Sequence, residues 1–404
     1  MEAAFEIPLP TLPVETAEFS ADPDPWLESA RREHPWLARF SHGYIVHGYQ
    51  ATVDLLSDDT RLRPGYGGIV DHYGERGTLW GRFWEENLGT PFEQAHIRQR
   101  ASVADAFTPR HANQLRPLIQ QVMNDLLDEW LPRGAFDFAE FASYFPVTVI
   151  CSILGVSPEP IPRLRSALEA QFALFGLDLA AKPLIMESWE VLWSFADELV
   201  TLREKGDEYD DNSLLDWMIA AARSGKLSET ELRFALITLL TAGYDTSKNM
   251  LTLVMKLLLE QPESYTRCAE DKDYCRKVVQ EALRHSGIGI PFRDVVAEFD
   301  YGGFQFRTGD RLVFPASLPG RDPAVFPDPL AFNPERANSN RHVAFGRGRH
   351  ICLGQFIASA QLQEGLHLIA QRLKNPQLAG DVRWRPFLSV WGLETLPITF
   401  TPQS

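Results

Sequence analysis

Residues 345–354 read Phe-Gly-Arg-Gly-Arg-His-Ile-Cys-Leu-Gly, and an apolar pattern of Phe356, Ile357, Ala360, Leu362, Leu366 and Ile369 begins directly behind them. The spacing predicts a loop that delivers Cys352 to the N-terminus of a helix. There the unpaired N–H groups and the positive dipole end lower a thiol's pKa, which makes Cys352 a better thiolate than Cys151, Cys268 or Cys275. Gly346, Gly348 and Gly354 would let the backbone approach a flat ligand and donate N–H groups to the sulfur. A thiolate placed in this way can ligate a metal. An isolated cysteine beside a glycine turn is more often a small buried hydrophobe, but the density of this ten-residue pattern favours the chemical reading.

A second stretch departs from local rules at a place suited to function. Residues 234–259 form an almost uninterrupted apolar helix, opened by the capping-box pair Ser228 and Glu231 and closed by Pro262. Its charges are Asp245, Lys248 and Lys256. The charge-free part before Asp245 is too short to span a bilayer, so a central helix buried in a large core is expected. At its middle lies Ala242-Gly243-Tyr244-Asp245-Thr246. An acid in a buried helix is costly without partners, and Gly lowers helix propensity there. A kink with Thr246 bonded back one turn is the plain alternative.

Two further patterns carry charge. Glu281 and Arg284 stand at i, i+3 and His96 and Arg100 at i, i+4, so each pair shares one helical face. Taken alone, both read as solvated surface that contributes little to stability.

A frame must bring these residues together. From about residue 91 to 284 helical periodicity dominates, as in 112–130, 138–154, 161–174, 188–205 and 212–224. Around Asp300-Tyr301-Gly302-Gly303 the pattern changes to short runs, 294–299, 304–307 and 311–315, which suggest a small β region. Turn-rich residues 319–341, a helix over about 353–373 and a β-like tail at 396–400 follow. No internal repeat or flexible linker interrupts the chain, so a single domain over residues 1–404 is expected.

In this order the segments resemble the cytochrome P450 monooxygenases, whose loop Phe-x-x-Gly-x-x-x-Cys-x-Gly is matched by Phe345, Gly348, Cys352 and Gly354. The resemblance implies a mainly α fold with a minor β region, the long central helix over a haem and the cysteine loop on its proximal side. It implies haem b (iron protoporphyrin IX) held by the Cys352 thiolate, a ligation that favours O–O cleavage. Phe345 and Gly346 would pack near the ligand, and His350 would reach a propionate. The family's Ala-Gly-x-Asp-Thr motif assigns dioxygen to the groove at Ala242 and Gly243, the hydrogen-bonding alcohol to Thr246 and the gate of a proton relay to Asp245. Its Glu-x-x-Arg motif makes Glu281 and Arg284, joined by Arg336, a buried structural network that holds the cysteine loop. Arg100 with His96, and Arg293, would clamp the propionates. One departure is visible: Gly320-Arg321-Asp322 stands where the family has Asn-Arg-Asp.

Carried over by order along the chain, the substrate pocket would comprise Tyr73, Trp80, Phe83 and Trp84, in the loop before the His96 helix, then Phe172 and Phe175. Thr238, Thr241 and Ala242, then Ile288, Gly289 and Ile290, and finally Val390 and Trp391 complete it. Such a lining suits a largely apolar terpenoid, alkyl-aromatic or steroid. The implied reaction inserts one oxygen atom from O2, usually as a hydroxylation. Electrons would come from a ferredoxin and its ferredoxin reductase, docking on a basic patch of Arg341, Arg347 and Arg349. A peroxide-driven peroxygenase is the alternative within this chemistry, and a non-catalytic haem sensor or carrier the alternative outside it.

Composition narrows the rest. With 39 Lys and Arg against 54 Asp and Glu the net charge is −15, which repels phosphate backbones and excludes nucleic acid as the expected partner. Hydrophobic residues at 45% and charged residues at 23% exclude disordered and fibrous classes. Four cysteines without a C-x-x-C pattern make a poor disulfide framework, and Cys268 and Cys275 are too few for an iron–sulfur cluster. The first eight residues hold no basic leader or apolar run, so a cytoplasmic monomer without a membrane anchor is expected.

Overall fold

The computed structural model describes residues 8–157, 159–206, 213–388 and 390–401. Most of the N-terminal stretch just discussed, residues 1–7, and the expected helix start at Asn212 lie outside them. The central helix runs Glu229–Leu259 and begins five residues before its apolar run, because both halves of the capping box form. The Ser228 hydroxyl accepts from the Glu231 N–H at 3.2 Å, and the Glu231 carboxylate accepts from the Ser228 N–H at 2.7 Å. The helix packs along Phe138–Leu154 and touches Ile161–Gln171, Lys182–Lys205, Lys272–Ser286 and the helix behind the cysteine loop, Gln355–Arg372. Buried on most of its circumference, it forms the axis of the largest apolar core.

Differences from the sequence pattern have local causes. The run 112–130 divides into Pro109–Gln114 and Arg116–Trp130, since Pro117 lacks an N–H and would clash with the carbonyl of Asn113 in a continuous helix. The helix expected over 188–205 starts at Lys182, with Pro183 in its first turn where the missing N–H costs nothing. The helix from Ile161 stops at Gln171 and tightens into a 3₁₀ turn, Phe172–Gly176, ended by Leu177 at φ +53°. The segment expected as a loop before His96 contains a helix, Leu79–Glu86, capped by Thr78.

Five short strands make the larger sheet, in the order Leu37–Phe40, Gly43–Val46, Arg311–Val313, Phe292–Val295 and Leu62–Pro64. Only the pairing of Gly43–Val46 with Arg311–Val313 is parallel. The run 294–299 splits, and Phe299–Tyr301 pairs with Phe304–Phe306 across Gly302 and Gly303. Both glycines have positive φ, 55° and 83°, as a tight two-residue hairpin requires. The tail strand Pro397–Thr401 lies between Ala135–Asp137 and Lys374–Leu378. At the departure Gly320, a Cβ would stand 1.9 Å from the carbonyl oxygen of Arg284, so any side chain would force the two segments apart. Among the described residues no helix is long and apolar enough to cross a membrane.

Candidate active site

The cysteine loop closes on itself through a hydrogen bond from the Cys352 N–H to the Phe345 carbonyl at 2.8 Å. Gly348 has φ +72°, and a Cβ there would approach the Leu56 carbonyl to 2.7 Å, so the loop can take this course only with glycine. Cys352 follows the short turn Gly348–His350, with Gln355–Arg372 starting three residues later. Cys352 is exposed and lines a cavity. Desolvation by the surrounding protein nonetheless pushes the thiol pKa up. The N–H groups of Gly354 and Gln355 and the Arg100 guanidinium oppose that rise without cancelling it. The lowering expected from the helix start is therefore present in kind but outweighed, and a bound cation is what would favour the thiolate.

The cavity holds about 350 Å³ and joins the cysteine loop to the central helix. At one edge it is lined by Arg293 and His350, with Arg100 and His96 directly behind. Arg293 is buried and, among the described residues, donates only to the Phe292 carbonyl at 2.9 Å. Arg100 donates to the Ile351 carbonyl at 2.8 Å. The imidazoles of His96 and His350 lie 4.3 Å apart, and Nε2 of the first and Nδ1 of the second are buried without hydrogen-bond partners among the described residues. Burial and then Arg293 push the His350 pKa down to about 3, and burial and then Arg100 lower that of His96. The guanidiniums of Arg293 and Arg100 hold more donors than the acceptors found for them among the described residues, which calls for anionic oxygens. The propionates of a haem supply two carboxylates, so the residues present fit that group.

On the opposite wall the central helix presents Ala242, Thr246, Ser247 and Met250. Ala242 is exposed in the middle of a buried helix because it faces this space. Thr246 donates to the Ala242 carbonyl at 2.7 Å, so its hydroxyl sits at the groove. Gly243 lies to the side, where a Cβ would meet Ile150 at an ordinary 3.9 Å. Asp245 does not reach the cavity. Its oxygens take Arg385 Nη1 at 2.6 and 2.8 Å, and one also accepts from Asn249 Nδ2 at 3.1 Å. Sequence reasoning missed Arg385, which stands 140 residues away in a stretch without a motif.

Of the pocket residues carried over, Phe172, Phe175, Ala242, Ile288, Gly289, Ile290 and Val390 line the cavity. The others do not. Trp80 donates to Gln171 at 3.1 Å, Phe83 packs on Trp189 and Phe234, and Tyr73 bonds to the Leu174 carbonyl at 3.2 Å. Helix formation over Leu79–Glu86 turned Trp80 and Phe83 into core, with Trp84 backing the wall through Tyr66 and Phe175. Thr238 and Thr241 bond back to the carbonyls of Phe234 and Ile237, and Trp391 donates to the Ser20 carbonyl at 2.9 Å. Missed lining residues include Tyr66, Phe292 and Leu388.

Beneath the loop, Glu281 and Arg284 are fully buried and paired at 2.7 and 2.9 Å. Arg336 joins Glu281 at 3.0 Å, and the Asn333 N–H donates to the same oxygen at 3.0 Å. The expected basic patch is uneven: Arg349 pairs with Asp59 at 3.2 Å and Arg341 rests over the Tyr49 ring. Arg347 borders a second cavity of about 490 Å³ against the loop, shared with Arg116, Arg276 and Phe356.

A sulfur just before a helix, facing a groove in a long helix across a slot with a cationic edge, is an arrangement that fits a haem with a thiolate ligand. Comparison with known proteins agrees. The family model for cytochrome P450 matches residues 168–382. Luteothin monooxygenase of Streptomyces thioluteus is 32% identical over 397 residues, covering 97% of this chain and 96% of that protein. Among solved structures, the myxobacterial cytochrome P450 CYP267B1 in complex with myristic acid has a TM-score of 0.88 at 26% identity and covers 96% of this chain and 99% of its own. P450BioI with a hexadec-9Z-enoic acid ligated acyl carrier protein has a TM-score of 0.85 at 25% identity, covering 95% and 100%. The chain belongs to the cytochrome P450 family and is an oxidoreductase of the monooxygenase type with a haem–iron cofactor.

Proposed function

We propose that the chain, as one domain and in the cytoplasm, binds haem b through Cys352 and inserts one oxygen atom of O2 into a largely apolar small molecule. The observation that carries this is a single cavity bounded by the Cys352 sulfur, the Arg293–His350 edge and the Ala242–Thr246 face. Haem iron with a thiolate ligand supplies the activation of dioxygen. The protein's residues do the rest. Gly354 and Gln355 donate N–H groups to the sulfur and stabilise its charge. Arg100, Arg293, His96 and His350 orient the carboxylates. Thr246 exchanges its bond to the Ala242 carbonyl for one that holds a water in the groove, and Asp245 passes protons when it leaves Arg385.

Phe172, Phe175, Ile288, Ile290 and Val390 exclude water and favour an apolar chain or ring system of terpenoid, alkyl-aromatic or steroid type. The fatty-acyl ligands of the two structural relatives support an apolar substrate. Electrons from a ferredoxin and its reductase would enter beside Arg347. The purified protein should give the strongly red-shifted Soret band of a thiolate-ligated ferrous carbon-monoxide complex, lost in Cys352→Ala. Retention of that band in Cys352→Ala, with loss in a variant of Cys151, Cys268 or Cys275, overturns the assignment. Product formation with a reductase system separates the enzyme from a sensor or carrier.

A further inference from the structure

Away from the cationic edge, the cavity wall above the haem slot is aromatic and aliphatic, except for the hydroxyls of Thr246, Ser247 and Tyr66. Tyr66 lines it, and its hydroxyl has no hydrogen-bond partner among the described residues. The ring itself is fixed: Trp84, Phe175 and Phe292 surround it at centroid distances of 5.6, 6.2 and 6.3 Å. Three aromatic contacts on one ring leave the phenol little freedom to turn elsewhere for a partner. Backbone holds it too, because Tyr66 starts the short helix Gly67–His72 and its carbonyl accepts from Ile69 and Val70. Burial raises the phenol's pKa and the nearby Arg293 opposes that rise, so the group stays protonated and is available as a donor.

An unpaired hydroxyl in an apolar-lined pocket discriminates among ligands, because one that covers it without bonding to it leaves a desolvated polar group unsatisfied. Thr246, which bonds to the Ala242 carbonyl at 2.7 Å, and Ser247 stand on the central-helix wall, whereas Tyr66 stands beside Arg293. We propose that Tyr66 is a substrate-positioning residue that donates a hydrogen bond to a carbonyl oxygen on an otherwise apolar substrate, and so selects oxygenated over purely hydrocarbon molecules. The bond would anchor one end near Arg293, and the apolar remainder would lie along Phe172, Ile290 and Val390 toward the haem. This rests on the haem-thiolate reading above, and the carbonyl belongs either to a carboxylate or to a ketone.

The test uses haem-loaded enzyme whose thiolate signature has first been recorded, so that a failure of the haem-thiolate reading shows before any probe is added. Dodecanoic acid, 2-tridecanone and tridecane are titrated against wild type and Tyr66→Phe, with dissociation constants read from the haem spin-state shift. Tyr66→Phe should weaken the acceptor-bearing probes roughly three- to tenfold, the span of one net hydrogen bond, and leave tridecane unchanged. Loss with both oxygenated probes identifies any carbonyl as sufficient, and loss with dodecanoic acid alone identifies the carboxylate. Equal weakening of all three probes reduces Tyr66 to a packing role and overturns the proposal. So does no change with any probe, or an absence of spin shift with the oxygenated probes in wild type. A shifted haem reduction potential with probe discrimination intact would assign the hydroxyl to a propionate instead, which also overturns it.

Discussion

Replacing Arg284 by Ala tests how the fold holds its cysteine loop. Arg284 is fully buried and uses all of its fork: two bonds to Glu281, and others to the carbonyls of Gly320 and Pro329 at 2.7 Å and of Ala331 at 3.1 Å. Removing one partner of a buried ion pair costs about 3–5 kcal/mol, since the stranded carboxylate cannot return to water. Arg336 remains on Glu281 and reduces that figure, but three carbonyls lose a donor at about 1–3 kcal/mol for any that stays dry. A net loss of at least about 4 kcal/mol is expected, or roughly 5 °C or more in Tm if the chain unfolds as one unit. Because the Arg284 fork ties Gly320 and residues 329–331 to the helix Lys272–Ser286, the haem site should loosen with it. Differential scanning calorimetry and haem content per chain are the assays, with Arg284→Lys, which keeps the charge but not the fork, falling between. An Arg284→Ala protein that melts within about 2 °C of wild type with full haem would refute the reasoning.

Three further outcomes follow from the same contacts. Glu231 is held down to about 2, first by Arg98 and then by the Ser228 N–H and Gln99, against an ordinary 4.5. A carboxylate with a depressed folded pKa stabilises above its unfolded value, so Glu231→Gln should cost about 1 kcal/mol near neutral pH after screening of this half-exposed pair. That cost should fade as pH drops from about 4.5 to about 2, in urea midpoints measured across pH. Thr246→Ala should bind haem and substrate almost as wild type yet yield several-fold less product per NAD(P)H and more peroxide; unchanged coupling removes the alcohol from proton delivery. Arg347→Glu should slow reduction by ferredoxin in stopped-flow measurements, as should added salt, while spin-state titrations stay the same; rates blind to both would move electron entry to another face.

What the sequence made legible was whatever a short segment specifies by itself. Cys352 with its glycines and the capping box of the central helix are local, and each stands in the structure where the pattern put it, whereas the Glu281–Arg284 spacing gave the pair but not its burial, which only the family resemblance implied. Misses came where one element's fate depends on another. Trp80 and Phe83 are as aromatic as any pocket residue, but Thr78 starts a helix that turns them inward onto Gln171, Trp189 and Phe234. Tyr66 and Phe292 meet because the strands Leu62–Pro64 and Phe292–Val295 pair, which no spacing reveals across so long a separation.

Arg385 shows the same limit in its most consequential form. The sequence marks Asp245 as an acid in a buried helix that must be compensated, but it leaves the partner open among every cation in the chain. The structure supplies Arg385 from the turn after Arg383–Trp384, a turn whose later residues Leu388 and Val390 line the same cavity as Cys352. Arg385 is tied to that turn by its own N–H, which donates to the Gly392 carbonyl at 3.0 Å. The acid proposed to gate proton delivery is therefore bonded to the same short segment that a bound substrate would press upon. A motif on the central helix can specify the acid alone, whereas its readiness to leave Arg385 is set by packing at the far end of the chain.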